Sequence, residues 1–148
     1  MYTYQHPRPA STIDIVLFQR VQELYRVLLI KRSQEPFAGK YALPGGFVDI
    51  NETLEEAAIR ELMEETGLKN IRLVQIHTFS NPDRDPRERV ISTAYSAVIN
   101  DEYQYQLRAG SDAAEVEWIE LSNLPHLAFD HNEIIQVAID KMNLDINV

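Results

Sequence analysis

Hydrophobic and polar positions fall into short blocks that predict a mixed α and β chain. Thr12 to Gln19 and Leu24 to Lys31 are apolar, β-branched runs separated by the polar stretch Arg20 to Glu23, the pattern of two strands joined by a turn. The segment Lys40 to Val48 contains Leu43-Pro44-Gly45-Gly46, which predicts sharp turns and lets the backbone approach a ligand closely. Thr53 to Thr66 predicts a helix, because Thr53 and Glu56 form a capping-box pair and Gly67 stands where a C-terminal stop belongs. Ile59, Leu62 and Met63 are expected on its core side, while Ala57 and Ala58 leave space beside a functional edge. Asn70 to Ser80 and Arg89 to Ile99 predict two strands, and the polar, Pro-broken stretch Asn81 to Glu88 predicts a charged loop between them. A further strand is expected from Ala114 to Leu121. Asp130 and Glu133 repeat the capping pattern before a last helix, Asn132 to about Met142, which makes Asp130 an N-cap and His131 a loop histidine.

Composition narrows this picture. No repeat or Gly/Ser linker divides the 148 residues, so one domain is expected over 1–148, with 45% hydrophobic residues to build a single core. The absence of cysteine excludes thiol chemistry and disulfide frameworks. The N-terminus has no basic stretch followed by an apolar one, and no window approaches the roughly 18 apolar residues of a membrane span. A cytoplasmic chain with no membrane partner is therefore expected. Fourteen Lys and Arg against 23 Asp and Glu give a formal charge of −9, which argues against nucleic-acid binding. An anionic substrate would need help to approach such a chain.

The predicted helix supplies a candidate for that help. Glu61, Glu64 and Glu65 stand at i, i+3 and i+4, so their carboxylates are expected to converge on one face, where like charges oppose one another. A divalent cation would compensate them, and oxygen-rich clusters suit Mg²⁺, with Mn²⁺ as a substitute. The plain alternative is a solvated acidic face.

The surrounding residues favour the first reading. From Gly46 the chain runs through Glu52 to Arg60-Glu61-Leu62-Met63-Glu64-Glu65-Thr66-Gly67-Leu68, which matches G-x5-E-x7-R-E-U-x-E-E-x-G-U at every defined position, U being a bulky aliphatic residue. A chance match with these spacings has a probability of roughly 10⁻⁷. The chain thus resembles the Nudix hydrolases. The resemblance implies an α+β fold, an α/β/α sandwich with a mixed central sheet, and Mg²⁺-dependent hydrolysis of a nucleoside diphosphate linked to another group. It puts Glu61, Glu64 and Glu65 on metal-binding positions, with the Gly45 carbonyl as a further ligand, and Glu52 and Arg60 on positions that brace the loop and helix. The general base stays open between Glu64 and a carboxylate from a separate loop, Asp112 or Glu115.

Phe79 to Tyr95 and Leu127 to His131 resemble the corresponding segments of ADP-ribose pyrophosphatases and of related Nudix domains in regulators of NAD metabolism. The resemblance implies cleavage of ADP-ribose into AMP and ribose 5-phosphate, a role in nucleotide metabolism. Arg84, Arg87 and Arg89 are candidate donors to phosphate or ribose, with Asp83 or Asp85 holding them; the alternative is a self-paired, solvated loop. Lys31, Arg32 and Gly46 are further substrate-facing candidates, and Phe37 or Tyr41 is a candidate adenine stack, although aromatics beside a strand commonly belong to a core. Another nucleotide, a triphosphate or a dinucleotide, and a non-catalytic ADP-ribose sensor are the alternative functions. Regulators of the latter kind carry a DNA-binding domain after the Nudix domain, whereas this chain ends at Val148, and a sensor would not require the complete box. A homodimer is expected by analogy alone.

Overall fold

The computed structural model describes residues 1–100 and 107–146. Strand β1 (Ala10–Val21) decides the architecture. Alternation along it sends Ile13, Ile15 and Leu17 to one face and Val16 and Phe18 to the other, and all five are fully buried. Each such side chain contributes about 1.5–3 kcal/mol relative to exposure, so both faces of this strand have to be covered.

The other elements supply the cover: β2 (Leu24–Arg32), β3 (Tyr41–Ala42), β4 (Gly45–Phe47), α1 (Leu54–Thr66), β5 (Val74–Phe79), β6 (Val90–Asn100), β7 (Ala113–Glu120) and α2 (His131–Lys141). The seven strands form one sheet in the order β3-β2-β1-β6-β5, with β4 also paired to β1 and β7 to β2. β1 and β6 are parallel from Ala10↔Val90 to Arg20↔Asn100, and every other pair is antiparallel. Ala57, Ala58 and Leu62 of α1 pack on the Ile13, Ile15 and Leu17 face. Ile134, Ile135 and Ala138 of α2 pack on the Val16 and Phe18 face. This is the α/β/α sandwich with a mixed sheet expected above.

Helix α1 starts and stops as its sequence dictates. Thr53 Oγ1 accepts the Glu56 N–H at 3.1 Å, Glu56 accepts the Thr53 N–H, and Gly67 closes the helix at φ 81°. Its buried face differs from the one expected: Ala57, Ala58, Glu61, Leu62 and Glu65 are buried, whereas Ile59 and Met63 are exposed. The two alanines let the helix lie close on the sheet, and that orientation turns Ile59 and Met63 away. Strand β5 begins at Val74 and not at Asn70: Asn70 adopts φ 62°, outside the extended region, and pairing with β6 starts only at Val74↔Ser96. Helix α2 begins at His131, and Asp130 makes no side-chain cap bond, because its carboxylate is engaged elsewhere.

One feature of the sheet positions the site. β1 pairs β2 along Phe18–Val21 but β4 along Thr12–Asp14, and a cleft opens where the two partners diverge.

Candidate active site

The turn between β3 and β4 sits against both neighbouring layers. The Gly45 N–H donates to Glu65 Oε1 at 2.7 Å, and Pro44 accepts the Ile15 N–H at 2.8 Å. Glycine is required twice here: a Cβ on Gly46 would overlap the Glu61 carboxylate, and one on Gly45 would overlap the Ile13 carbonyl.

On α1, Arg60 gathers the acidic edge. Its guanidinium grips Glu52 through Nη2 at 2.6 Å and Nε at 3.0 Å, donates to the Phe47 carbonyl at 3.0 Å, and reaches Glu61 at 2.9 Å and Glu64 at 3.2 Å. With Arg60 and the Asp49 N–H both donating to it, the Glu52 carboxyl is held down to about 2, and Arg60 is raised in turn. Glu61 and Glu65 behave oppositely. Burial pushes Glu61 up against the pull of Arg60. Burial also pushes Glu65 up to about 8, outweighing the Gly45 N–H, with Glu61 and Asp112 adding repulsion.

These side chains fit a hard divalent cation by chemistry: all are oxygen donors, and of the two buried carboxylates Glu61 shares Arg60 with Glu52 and Glu64, while Glu65 has no ion-pair partner among the described residues. Their arrangement is looser than the expected convergence. Among the described residues, no three His, Asp or Glu side chains are gathered closely enough to hold one metal ion as they stand. Arg60 occupies Glu61 and Glu64, while Glu65 turns to Gly45.

The facing wall is basic and aromatic. The Arg84 side chain, only 4% exposed, binds Asp130 through Nε at 2.9 Å and Nη2 at 2.7 Å. Arg87 forks onto Asp85 at 3.1 and 2.8 Å. Arg32, anchored by Nε to the Pro36 carbonyl at 2.7 Å, and Arg87 lie 5.1 and 5.5 Å from the Phe129 ring; Arg87 also lies 5.1 Å from Phe47. Burial, and then the neighbouring Arg87 charge, push Arg32 below its usual value. Two cations facing one another at the mouth of a cleft make a place for an anion. Deeper in, Asp14 accepts from Ser92 Oγ and lies 3.4 Å from His131 Nε2 and 3.7 Å from Arg84. Burial alone would raise Asp14, but His131, Ser92 and Arg84 together hold it below the usual carboxylate range.

Both walls line one cavity of about 350 Å³. It brings together Gly45, Gly46, Arg60, Glu61, Glu64 and Glu65 with Arg32, Arg84, Asp85 and Arg87. Glu52 acts from outside it, through Arg60. Some sequence candidates lie elsewhere. Glu115 is exposed on β7 opposite Lys31, beyond a register shift at Arg32, and it is Asp112 before the strand that reaches the cavity. Phe37 packs edge-on against Phe129 at 4.7 Å, behind the ring that lines the cavity. Tyr41 donates to Glu117 and carries Lys31 over its ring, away from the cleft. Arg89 and Asp83 are also outside it. Residues that the sequence reading missed are Asp14, Phe47 and Phe129. An acid inside the apolar run Ile13-Asp14-Ile15 was the available signal, since buried charge in a strand needs partners.

Comparison with known proteins supplies the family of this fold. The chain belongs to the NUDIX domain family, whose model matches residues 8–138. It is 47% identical over 133 residues to an ADP-ribose pyrophosphatase of Methanocaldococcus jannaschii, covering 90% of this chain and 73% of that protein. It is 36% identical over 143 residues to the ADPR responsive transcriptional repressor NtrR of Acinetobacter baylyi, covering 93% of this chain but 56% of the repressor. The fold superposes on the NUDIX domain of Shewanella oneidensis NrtR complexed with ADP ribose with a TM-score of 0.84 at 33% identity, covering 93% of this chain and 90% of that one. Among the described residues no helix is long and apolar enough to cross a membrane.

Proposed function

We propose that this NUDIX domain, over residues 1–148, is a cytoplasmic hydrolase that uses Mg²⁺, or Mn²⁺ in its place, to cleave ADP-ribose into AMP and ribose 5-phosphate. The observation that carries the reading is the single cavity with the acidic edge of α1 on one side and Arg32 and Arg87 on the other. The pyrophosphatase relative and the ADP-ribose complex of the structural neighbour support the choice of substrate.

A bound divalent cation, held by Glu61, Glu64 and Glu65 with the Gly45 carbonyl, would neutralise diphosphate oxygens and acidify an attacking water. The chain's own residues do the rest. Arg32 and Arg87 donate to phosphate oxygens, and Phe129 and Phe47 present rings beside them. The water oxygen bonds to one phosphorus, the bridging P–O bond breaks, and the proton goes to Glu64, whose side chain is 41% exposed and reachable, or to Asp112 across the cleft. Arg60 holds the Glu61 and Glu64 carboxylates while bracing itself on Glu52. The net charge of −9 disfavours non-specific binding of nucleic acid, which supports a small nucleotide as the partner.

The repressor relative supports a second reading, an ADP-ribose sensor. One assay separates the two: incubation with ADP-ribose and Mg²⁺, with AMP measured by chromatography. AMP and ribose 5-phosphate in equal amounts are expected. Saturable binding without product would replace the enzyme with the sensor, and product from triphosphates alone would replace the substrate.

A further inference from the structure

His131 has no part in the chemistry just described, yet it is buried to 4% exposure beside the cavity and joins two layers of the fold. Its Nδ1 accepts the Leu43 N–H at 2.9 Å. A nitrogen that accepts carries no proton, so the ring proton of the neutral imidazole resides on Nε2, which faces Asp14 Oδ1 at 3.4 Å. Asp14 in turn accepts from Ser92 and stands opposite Gly45 in the β1–β4 register. The Leu43–Gly46 turn is thus held at three points, each from a different element. The Leu43 N–H is held by α2, the Pro44 carbonyl by β1 and the Gly45 N–H by α1.

The tolerance of that turn is small. Gly46 lies so close to Glu61 that even a methyl group would overlap the carboxylate, and Gly45 meets Asp14 and the Ile13 carbonyl in the same way. A shift of the turn therefore moves Glu61 and Glu65, and misplacement on the ångström scale is enough to cost a large factor in rate.

We propose that His131 is a positioning residue for the hydrolysis, setting the place of the Leu43–Gly46 turn through the bond from the Leu43 N–H to Nδ1, with Asp14 holding the ring in the tautomer that can accept it. The kinetic half of this inference rests on the pyrophosphatase reading; the structural half does not.

Amide substitutions separate the two ring nitrogens. Asn places an acceptor oxygen where Nδ1 stands, whereas Gln places a donor nearer Nε2 and leaves the Leu43 N–H without its partner. In His131→Asn we expect kcat for ADP-ribose within about threefold of the parent; in His131→Gln and His131→Ala we expect it to fall about tenfold or more, with KM within about threefold throughout. Hydrogen exchange at the Leu43 amide, measured without metal or substrate, should be slow in the parent and His131→Asn and at least about tenfold faster in His131→Gln. A merely structural histidine would lower the thermal midpoint of the Asn and Gln variants alike and leave them with equal turnover and equal Leu43 exchange, which overturns the inference. Equal loss of turnover in Asn and Ala overturns it as well. Should Ala fail to fold, the Asn and Gln pair still decides. If the parent releases no AMP, the pyrophosphatase reading falls, and Leu43 exchange alone then decides whether His131 holds the turn.

Discussion

The two walls of the cleft were built by different means. The acidic wall comes from one stretch of chain, Gly45 to Glu65, in which a turn and a single helix set every side chain. The basic wall is assembled from β2, the loop before β6 and the start of α2, and its bonds span separations of 46 residues for Arg84–Asp130 and 88 for Leu43–His131. Local periodicity fixes the first, and tertiary packing fixes the second. Their chemistry differs accordingly: the acidic wall keeps buried carboxylates in want of positive charge, whereas most cations of the basic wall already have carboxylate partners.

If the acidic wall performs the bond cleavage and the basic wall supplies grip and stability, removing charge from each should fail differently. The largest effect is expected on the acidic side: Glu64→Gln or Glu65→Gln should lower kcat by about 10² or more in a steady-state AMP-release assay, with the fold intact by circular dichroism. Near-parental turnover in both would remove the distinction between the walls. Next, Arg84→Ala strands Asp130 and Asp14 in a buried setting and should cost about 3 kcal/mol in urea unfolding. A double-mutant cycle with Asp130→Ala should return a coupling of at least about 1 kcal/mol. Arg87→Ala, at the rim, should raise KM about tenfold with kcat within about threefold, and should also lower the unfolding midpoint, because it leaves the buried Asp85 carboxylate without its partner. An unchanged KM would make Arg87 a spectator.

The smallest expected effect concerns protons. The Glu65 carboxyl lies near 8 in the folded protein, above the ordinary 4.5 of the unfolded chain, so in the absence of metal the folded state binds more protons between those values. Its contribution to stability is fully present below about 4.5 and is lost as pH rises through about 8. Metal-free unfolding midpoints should fall across that range, and Glu65→Gln should flatten the slope.

The same contrast explains what could be read from the chain. The capping box at Thr53, the stop at Gly67 and the i, i+3, i+4 acids are local codes, so α1 and its acidic edge were legible before any fold was known. The buried face of α1 was less so: Ile59 and Met63 look like core by hydrophobicity, and only the close seating of Ala57 and Ala58 on the sheet shows that they face outward. Asp130 has the sequence of an N-cap, but a guanidinium 46 residues away outcompetes the helix amides for its oxygens. Aromatic choice misled for a similar reason. Phe37 and Phe129 touch, and which ring lines the cavity depends on how the approach to α2 crosses the end of β2, a relation that no local pattern encodes.

The handover of β1 from β2 to β4 carries a practical corollary. The gauge of the cleft is set by main-chain ladders on either side of the fork together with the His131 and Glu65 bonds that hold the turn into β4, and none of these bonds is made by a rim side chain. Rim residues such as Phe47 and Phe129 can therefore be exchanged to admit bulkier or slimmer cargo without resetting the jaw, which makes this scaffold a sound starting point for retargeting.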